Sequence, residues 1–319
     1  MKLLLAGTEG EAHFDDVLRD VPVPGLEIVK ELDPARALEA AADADVIYGL
    51  VTPQMIRAAK KLRWFQASSA GVESAAGIPE LVASDVLLTN TRGAHGPSIG
   101  EHAFALLFSL TRHLPECYAR QQARRWDRTG LYRTAREVWG RTMGIVGYGS
   151  IGRAIAQRAV GFGMPLIAVD AHAVPPDAHV AEVWPVSRLD DLLAAADVVV
   201  VAAPLTESTR HLIGAGQLAR MKRDAYLVVV SRGGIVVEDA LAAALRAGTL
   251  AGAAIDVAEH EPLAADSPLW DAPNLVVTPH MAGASSEKER RCVEILRENL
   301  IRFHNGDPLL NLVDKRLGY

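Results

Sequence analysis

Short apolar runs alternate with helix-like stretches from the first residues onward. The runs are Leu3–Leu5, Leu26–Val29, Val46–Tyr48, Trp64–Gln66 and Val86–Leu88, and stretches such as Pro34–Ala42 and Pro53–Lys61 between them read as helices. Strands alternating with helices predict a parallel sheet covered on both faces. A second series begins at Met143 and comprises Met143–Val146, Leu166–Val169, Val198–Val201, Tyr226–Val230, Ala253–Val257 and Leu275–Val277. That makes six strands, the number a complete dinucleotide-binding sheet uses.

Two longer helical patterns flank the second series. Over Ser98–Ala119, residues Ala103, Leu106, Leu107 and Leu110 fall at helical spacing, and over Ser285–Arg302 the stripe is Val293, Ile295, Leu296, Leu300 and Ile301. The stretch Arg120–Arg141 is rich in Arg and Trp, has no period and reads as an extended arm or loop. A chain of 319 residues is too long for one ordinary core and fits two domains. The pattern assigns residues 1–97 and 285–319 to one and residues 98–284 to the other.

Composition narrows the classes. Half the residues are hydrophobic and 23% are charged, the balance of a globular protein in water. A formal net charge of −6 leaves no basic footprint for nucleic acid. No apolar run approaches the length of a membrane span. The run Leu3–Ala6 is too short for a signal-peptide core, and Glu9 and Glu11 follow it at once. Two cysteines, Cys117 and Cys292, suggest a reducing compartment without a disulfide framework, so the expected location is the cytoplasm. His95, His102 and His113 lack partners at ligand spacing and His260 is a loop neighbour of Glu261, so no metal site is expected. His102 reads as packing at the domain junction.

Gly147-Tyr148-Gly149-Ser150-Ile151-Gly152 matches G-x-G-x-x-G. The hexapeptide is weak alone, but Met143–Val146 leads into it as a strand and Ile151–Val160 leads out as a helix. A second strand then ends in Asp170, 23 positions after Gly147. Gly147 permits the tight turn, Gly149 lets backbone approach a diphosphate, and Gly152 lets helix pack on strand. The diphosphate would sit at the helix N-terminus, where free N–H groups and the dipole favour anions. Asp170 can accept hydrogen bonds from both ribose hydroxyls of NAD and would repel the extra phosphate of NADP. His172 tempers that preference, since a protonated imidazole tolerates a phosphate.

The fingerprint starts far from the N-terminus, so another domain is made first. Ser69-Ala70-Gly71-Val72, Gly100-Glu101-His102, Gly144–Gly152, Pro204-Leu205-Thr206, Ser231-Arg232-Gly233-Gly234, Asp256-Val257 with Glu261-Pro262, and Thr278-Pro279-His280 occur in this order. Together they resemble the D-isomer-specific 2-hydroxyacid dehydrogenase family over nearly the whole chain. The resemblance implies an α/β fold of two doubly wound parallel-sheet domains, a Rossmann cofactor domain inserted into a flavodoxin-like substrate domain. It implies hydride transfer between NAD(P)H and a 2-keto acid or D-2-hydroxy acid, with Arg232, Glu261 and His280 as the catalytic trio. His280 would donate the proton to the carbonyl oxygen, Glu261 would bond its other ring nitrogen, and Arg232 would offer a fork of donors to the substrate carboxylate and developing oxyanion.

By the same resemblance the amides of Ala70, Gly71 and Val72 hold the substrate carboxylate as an anion nest. Pro204, Thr209, Ser231, Asp256 and Gly283 join the glycine loop and Asp170 around NAD, Asp256 near the nicotinamide amide. A homodimer is implied, with the arm Trp126–Trp139 as the contact. The family commonly has an aromatic after Asp-Val, Ala before Glu-His and Asp after Gly-Val; this chain has Ala258, Gly100 and Glu73, changes that bear on pocket shape. Two other readings stand beside this one. One is an NAD(H)-sensing corepressor-like binding protein of the same fold. The other is a formate- or phosphite-type dehydrogenase: the formate branch generally has Gln where this chain has Glu261, which disfavours it, and a phosphite substrate stays open but calls for more basic residues in the pocket than the sequence places there.

Overall fold

The computed structural model describes residues 1–7 and 11–316. The chain divides into two compact units, Met1–His95 with Ala284–Tyr319, and Gly96–Gly283. In the first unit, β1 (Lys2–Ala6), β2 (Glu27–Glu31), β3 (Val46–Gly49), β4 (Trp64–Gln66) and β5 (Leu87–Thr89) form one sheet in the order β2-β1-β3-β4-β5. Every pairing is parallel, and the order is that of flavodoxin-like sheets. Alternate residues serve opposite faces, as the pleat requires. Leu4, Ile47, Phe65 and Leu88 enter one core, whereas Leu3, Leu5, Val46, Tyr48 and Trp64 enter the other.

The covering helices start where their sequence stops a strand. Asp33 accepts from the N–H groups of Ala35 and Arg36 and Thr52 from that of Met55, each followed by a proline in the first turn. Ser285 caps the helix Ser286–Asn305, which ends at Gly306 with φ +76°. Val293, Leu296 and Leu300 of that helix are buried with Leu3, Leu5 and Trp64. The C-terminal segment thereby completes the unit that the first 95 residues begin.

The second unit contains β6 (Met143–Val146), β7 (Leu166–Asp170), β8 (Val183–Pro185), β9 (Val198–Val201), β10 (Tyr226–Val229), β11 (Gly252–Ile255) and β12 (Leu275–Val277). Their order is β12-β11-β10-β9-β6-β7-β8, again all parallel. This is the Rossmann arrangement with one strand more than the six expected. The addition, β8, is three residues at the sheet edge, where a proline is tolerated. It carries too few apolar positions to register as a periodic run.

The long helical pattern after the first domain is also two helices, Gly96–Thr111 and Leu114–Gln122. Pro115 supplies no N–H and disfavours helical backbone at Leu114, and His113 takes φ +54° at the break. The first helix buries Ala103, Leu106, Leu107 and Leu110; the second buries no residue. The arm beyond is irregular apart from one helical turn, Leu131–Thr134. No helix among the described residues is long and apolar enough to cross a membrane.

Leu227 lies at the centre of β10, fully buried against Val199, Val229 and Ala253. Leu227→Ala should destabilise the protein by about 2–5 kcal/mol through lost transfer energy and the residual cavity. A thermal melt should show a midpoint several degrees lower; an unchanged midpoint would contradict the packing described.

Candidate active site

The strand order reverses between β6 and β9, and ligands of open α/β sheets bind outside the carboxyl ends of the strands at that point. Gly147 leaves β6 there with φ +93°, and a Cβ on it would lie 2.5 Å from Ala203 Cα. Only glycine lets this turn press against the segment that leads to Pro204. Gly152 is equally confined, 2.2 Å from the Gly147 carbonyl oxygen, whereas a Cβ on Gly149 would meet nothing within 4 Å. Protein packing therefore explains two of the three glycines. The third borders open space at the start of the helix Ser150–Gly161, as the close approach of a diphosphate requires.

Asp170 ends β7 beside this loop. One carboxylate oxygen accepts from the Tyr148 N–H at 2.8 Å and the other from the His172 N–H at 3.0 Å. Each oxygen keeps a lone pair for a ribose hydroxyl. Tyr148 is fully buried, and its hydroxyl donates to Asp177 at 3.0 Å. Arg153 pairs with Asp177 and lies over the Tyr148 ring, 4.8 Å from its centroid. Burial pushes the Asp177 carboxyl up, but N–H groups of His179 and Val180, the Tyr148 hydroxyl and Arg153 outweigh it and bring it to about 2. Burial, then Asp177, pushes the Tyr148 phenol up.

The remaining predicted cofactor residues fall around the same edge of the sheet. Thr209 is buried and donates to the Pro204 carbonyl at 2.7 Å while accepting from the Thr206 N–H, so its hydroxyl staples the turn after β9. Ser231 follows β10; its hydroxyl is buried with no partner among the described residues. The Gly283 carbonyl accepts from the Ser98 hydroxyl at 3.4 Å.

Arg232, Glu261 and His280 come from the loops after β10, β11 and β12. Those strands are parallel neighbours with Val229, Ile255 and Val277 near their ends, so the three loops leave the same edge. Glu261 and His280 touch: imidazole Nδ1 lies 2.7 Å from Glu261 Oε2, and Glu261 Oε1 accepts from the Ala258 N–H at 3.1 Å. Both side chains remain partly exposed, at 46% and 39%. Arg232 donates through NH1 to the Ser231 carbonyl at 2.8 Å. Its loop is pressed onto the Glu261 loop, since a Cβ on Gly233 would lie 1.9 Å from the Ala258 carbonyl oxygen.

Asp256 ends β11 with 1% exposure. Its carboxylate accepts from the Thr278 hydroxyl at 2.6 Å, the Met281 N–H at 3.0 Å and the Ala282 N–H at 2.8 Å, while its carbonyl accepts from the His280 N–H at 2.7 Å. The turn that bears His280, itself at φ +51°, is thus gripped from one residue. His102 belongs to the same grip. Its Nε2 is 3.0 Å from the Thr278 hydroxyl, which already donates to Asp256, so the ring nitrogen donates. The expectation of simple packing at a domain junction is corrected accordingly. Sequence reasoning also passed over Asp177 and Arg153. No spacing rule links either to Tyr148; only an acidic residue seven positions after Asp170 hinted at it.

In the first unit, Ala70, Gly71 and Val72 form the loop after β4. Their three N–H groups have no partner among the described residues.

A family model described as "D-isomer specific 2-hydroxyacid dehydrogenase, NAD binding domain" matches residues 104–282. A glyoxylate reductase of Korarchaeum cryptofilum is 37% identical over 96% of this chain and 92% of that protein. Among solved structures, a D-isomer specific 2-hydroxyacid dehydrogenase family protein from Aeromonas salmonicida is 34% identical with a TM-score of 0.87, covering 98% of this chain and 99% of its own. An NADPH-dependent glyoxylate/hydroxypyruvate reductase from Sinorhizobium meliloti, solved with NADP and sulfate, is 27% identical with a TM-score of 0.84 and covers 100% and 99% of the two chains.

The Asp177 carboxyl sits below the ordinary aspartate value of about 3.9 when folded. Its stabilisation is therefore full above that value and is lost as pH falls toward the folded value. Asp177→Asn should cost about 1–2 kcal/mol at neutral pH, discounted for partial exposure. The gap in thermal midpoint between variant and parent should close as pH drops from about 4 toward 2; a gap that stays constant would exclude the carboxylate as its source.

Proposed function

The chain belongs to the D-isomer specific 2-hydroxyacid dehydrogenase family, and we propose that it works as a reductase of small 2-keto acids, with His280 as acid, Glu261 as its orienting partner and Arg232 as substrate ligand. The observation that carries this reading is the 2.7 Å contact between His280 Nδ1 and Glu261 Oε2. It commits one ring nitrogen to the carboxylate and leaves Nε2 to give a proton to a carbonyl oxygen or take one from a hydroxyl. Arg232 presents a planar fork of donors suited to the carboxylate and the oxygen that gains charge. The N–H groups of Ala70, Gly71 and Val72 serve the substrate carboxylate in the first unit.

Bound NADH supplies the hydride. Residues Gly147–Gly152 form the cradle for its diphosphate, and Asp170 takes the ribose hydroxyls, favouring NADH over NADPH. Pro204, Thr209, Ser231, Asp256 and Gly283 complete the cofactor side, with Thr209 and Asp256 acting through the turns they staple. Glyoxylate and hydroxypyruvate are the first substrates to try, since the relatives named for those activities cover nearly the whole chain. The intact trio supports an enzyme over a corepressor-like sensor.

A homodimer through the arm is part of the same reading. Trp126 is fully exposed, Trp139 is 76% exposed and Tyr132 is 74% exposed. Large aromatics left in water mark association surfaces.

A screen of 2-keto acids with NADH and NADPH in parallel tests the activity. Arg232→Ala should lower kcat/KM about a thousandfold and His280→Gln about a hundred- to ten-thousandfold, with NADH binding retained in both. Full activity in Arg232→Ala or in His280→Gln would refute these roles. Light scattering should give twice the chain mass, and a Trp126→Ala/Trp139→Ala double variant should dissociate more readily; a monomeric parent protein would rule the dimer out.

A further inference from the structure

The loop Ser68–Val72 is held from its carbonyl side. The Thr91 hydroxyl donates to the Ser68 carbonyl at 2.9 Å and the Thr91 N–H to the Ser69 carbonyl at 3.1 Å. The Asn90 amide donates to the Ala70 carbonyl at 2.8 Å, and the Ser69 hydroxyl to the Gly71 carbonyl at 2.6 Å. Four consecutive carbonyls are each accounted for. In a planar trans peptide the C=O of one residue and the N–H of the next point in opposite directions. Fixing the Ser69 and Ala70 carbonyls toward the turn Asn90-Thr91 therefore turns the Ala70 and Gly71 N–H groups away from it. Ser69 does the same for Val72.

The clamp is itself buttressed. Asn90 is 4% exposed and Thr91 is fully buried. The Asn90 side-chain oxygen accepts from the Arg92 N–H at 3.0 Å, which fixes the amide with its NH₂ toward Ala70. Asn311 bonds the Asn90 and Arg92 carbonyls. The Thr91 hydroxyl gives its hydrogen to Ser68, so His95 Nε2, 3.2 Å away, donates to it.

We propose that Asn90, Thr91 and Ser69 are positioning residues for carboxylate recognition: by seizing the carbonyls of Ser69, Ala70 and Gly71 they aim the N–H groups of Ala70, Gly71 and Val72 at one substrate carboxylate. The proposal rests on the reading of Ala70–Val72 as the carboxylate site. Three preset amides serve a carboxylate without ordering a flexible side chain, so affinity depends on the clamp more than on any charged group in this unit. Loss of the Asn90 amide or the Ser69 hydroxyl leaves a loop carbonyl without its intramolecular donor and frees the peptide to rotate.

The test uses the purified full-length protein with saturating NADH, glyoxylate as varied substrate and oxalate as unreactive carboxylate in calorimetry. Asn90→Ala and Ser69→Ala should each raise the glyoxylate KM and the oxalate Kd at least tenfold, with kcat within about threefold and the NADH Kd unchanged; Ser69→Thr, which keeps the hydroxyl, should match the parent values. A KM and Kd within twofold of the parent in either variant, with circular dichroism showing it folded, would overturn the clamp. Gly71→Pro removes one amide, with Gly71→Ala as control. Weakened oxalate binding in Gly71→Pro beside unaffected clamp variants would leave the amide site standing and defeat the clamp. Unaffected oxalate binding in Gly71→Pro, or none to the parent protein, would defeat the amide site and the clamp with it.

Discussion

The buried carboxylate of Asp256 is the interaction from which the geometry of the second unit follows. A charge with 1% exposure is tolerable only if its oxygens are hydrogen-bonded. Asp256 meets that demand by collecting the Thr278 hydroxyl and the Met281 and Ala282 N–H groups. These donors all belong to the turn after β12. The turn has to wrap around the carboxylate, and in wrapping it carries His280 through φ +51°, a conformation an isolated chain would rarely hold. Glu261 lies five positions beyond Asp256 on the same loop and takes the ring of the residue whose backbone Asp256 holds. One loop thereby fixes both ends of one histidine.

The two units solve the positioning problem with different materials. The second uses an ion buried at a strand end to set a turn, and the turn sets an imidazole. The first uses neutral donors, Asn90 and Thr91, to seize carbonyls and so direct N–H groups. Each device suits its product. A buried charge concentrates several hydrogen bonds on one point and tolerates little movement. Neutral donors orient a run of peptides without placing a negative charge beside them.

Much of this was legible in the chain because parallel strands buried on both faces appear as unbroken apolar runs. Val198–Val201 and Tyr226–Val229 need no context to be recognised. The glycine loop was legible because Gly147 and Gly152 answer to local sterics that only glycine satisfies. Strand β8 escaped because an edge strand of Val-Trp-Pro has no second buried face to announce it. The division of the long helix at His113 escaped because the apolar stripe ends at Leu110, one residue before the first helix does, and Pro115 sits in the first turn of the next. His102, Asp177 and Asn90 act on partners 176, 29 and 20 positions away. Periodicity carries no information on pairs like these; only the assembled sheet brings them together.

A second shared anchor lies at the end of β7. The Asp170 carboxylate is anchored by the Tyr148 and His172 N–H groups, one on each oxygen. It cannot swing aside for an incoming phosphate without surrendering both bonds. At such contact distances like charges repel by several kcal/mol where solvent is partly excluded. Tyr148 also binds Asp177 through its hydroxyl. A single residue inside the glycine loop therefore ties that loop to the acid at the end of β7 and to the acid that braces the segment beyond it. Replacing Asp170 alone would leave the Tyr148 N–H unpaired and loosen the glycine loop itself. Any change of the charge at this strand end has to rebuild the Tyr148 contacts along with it.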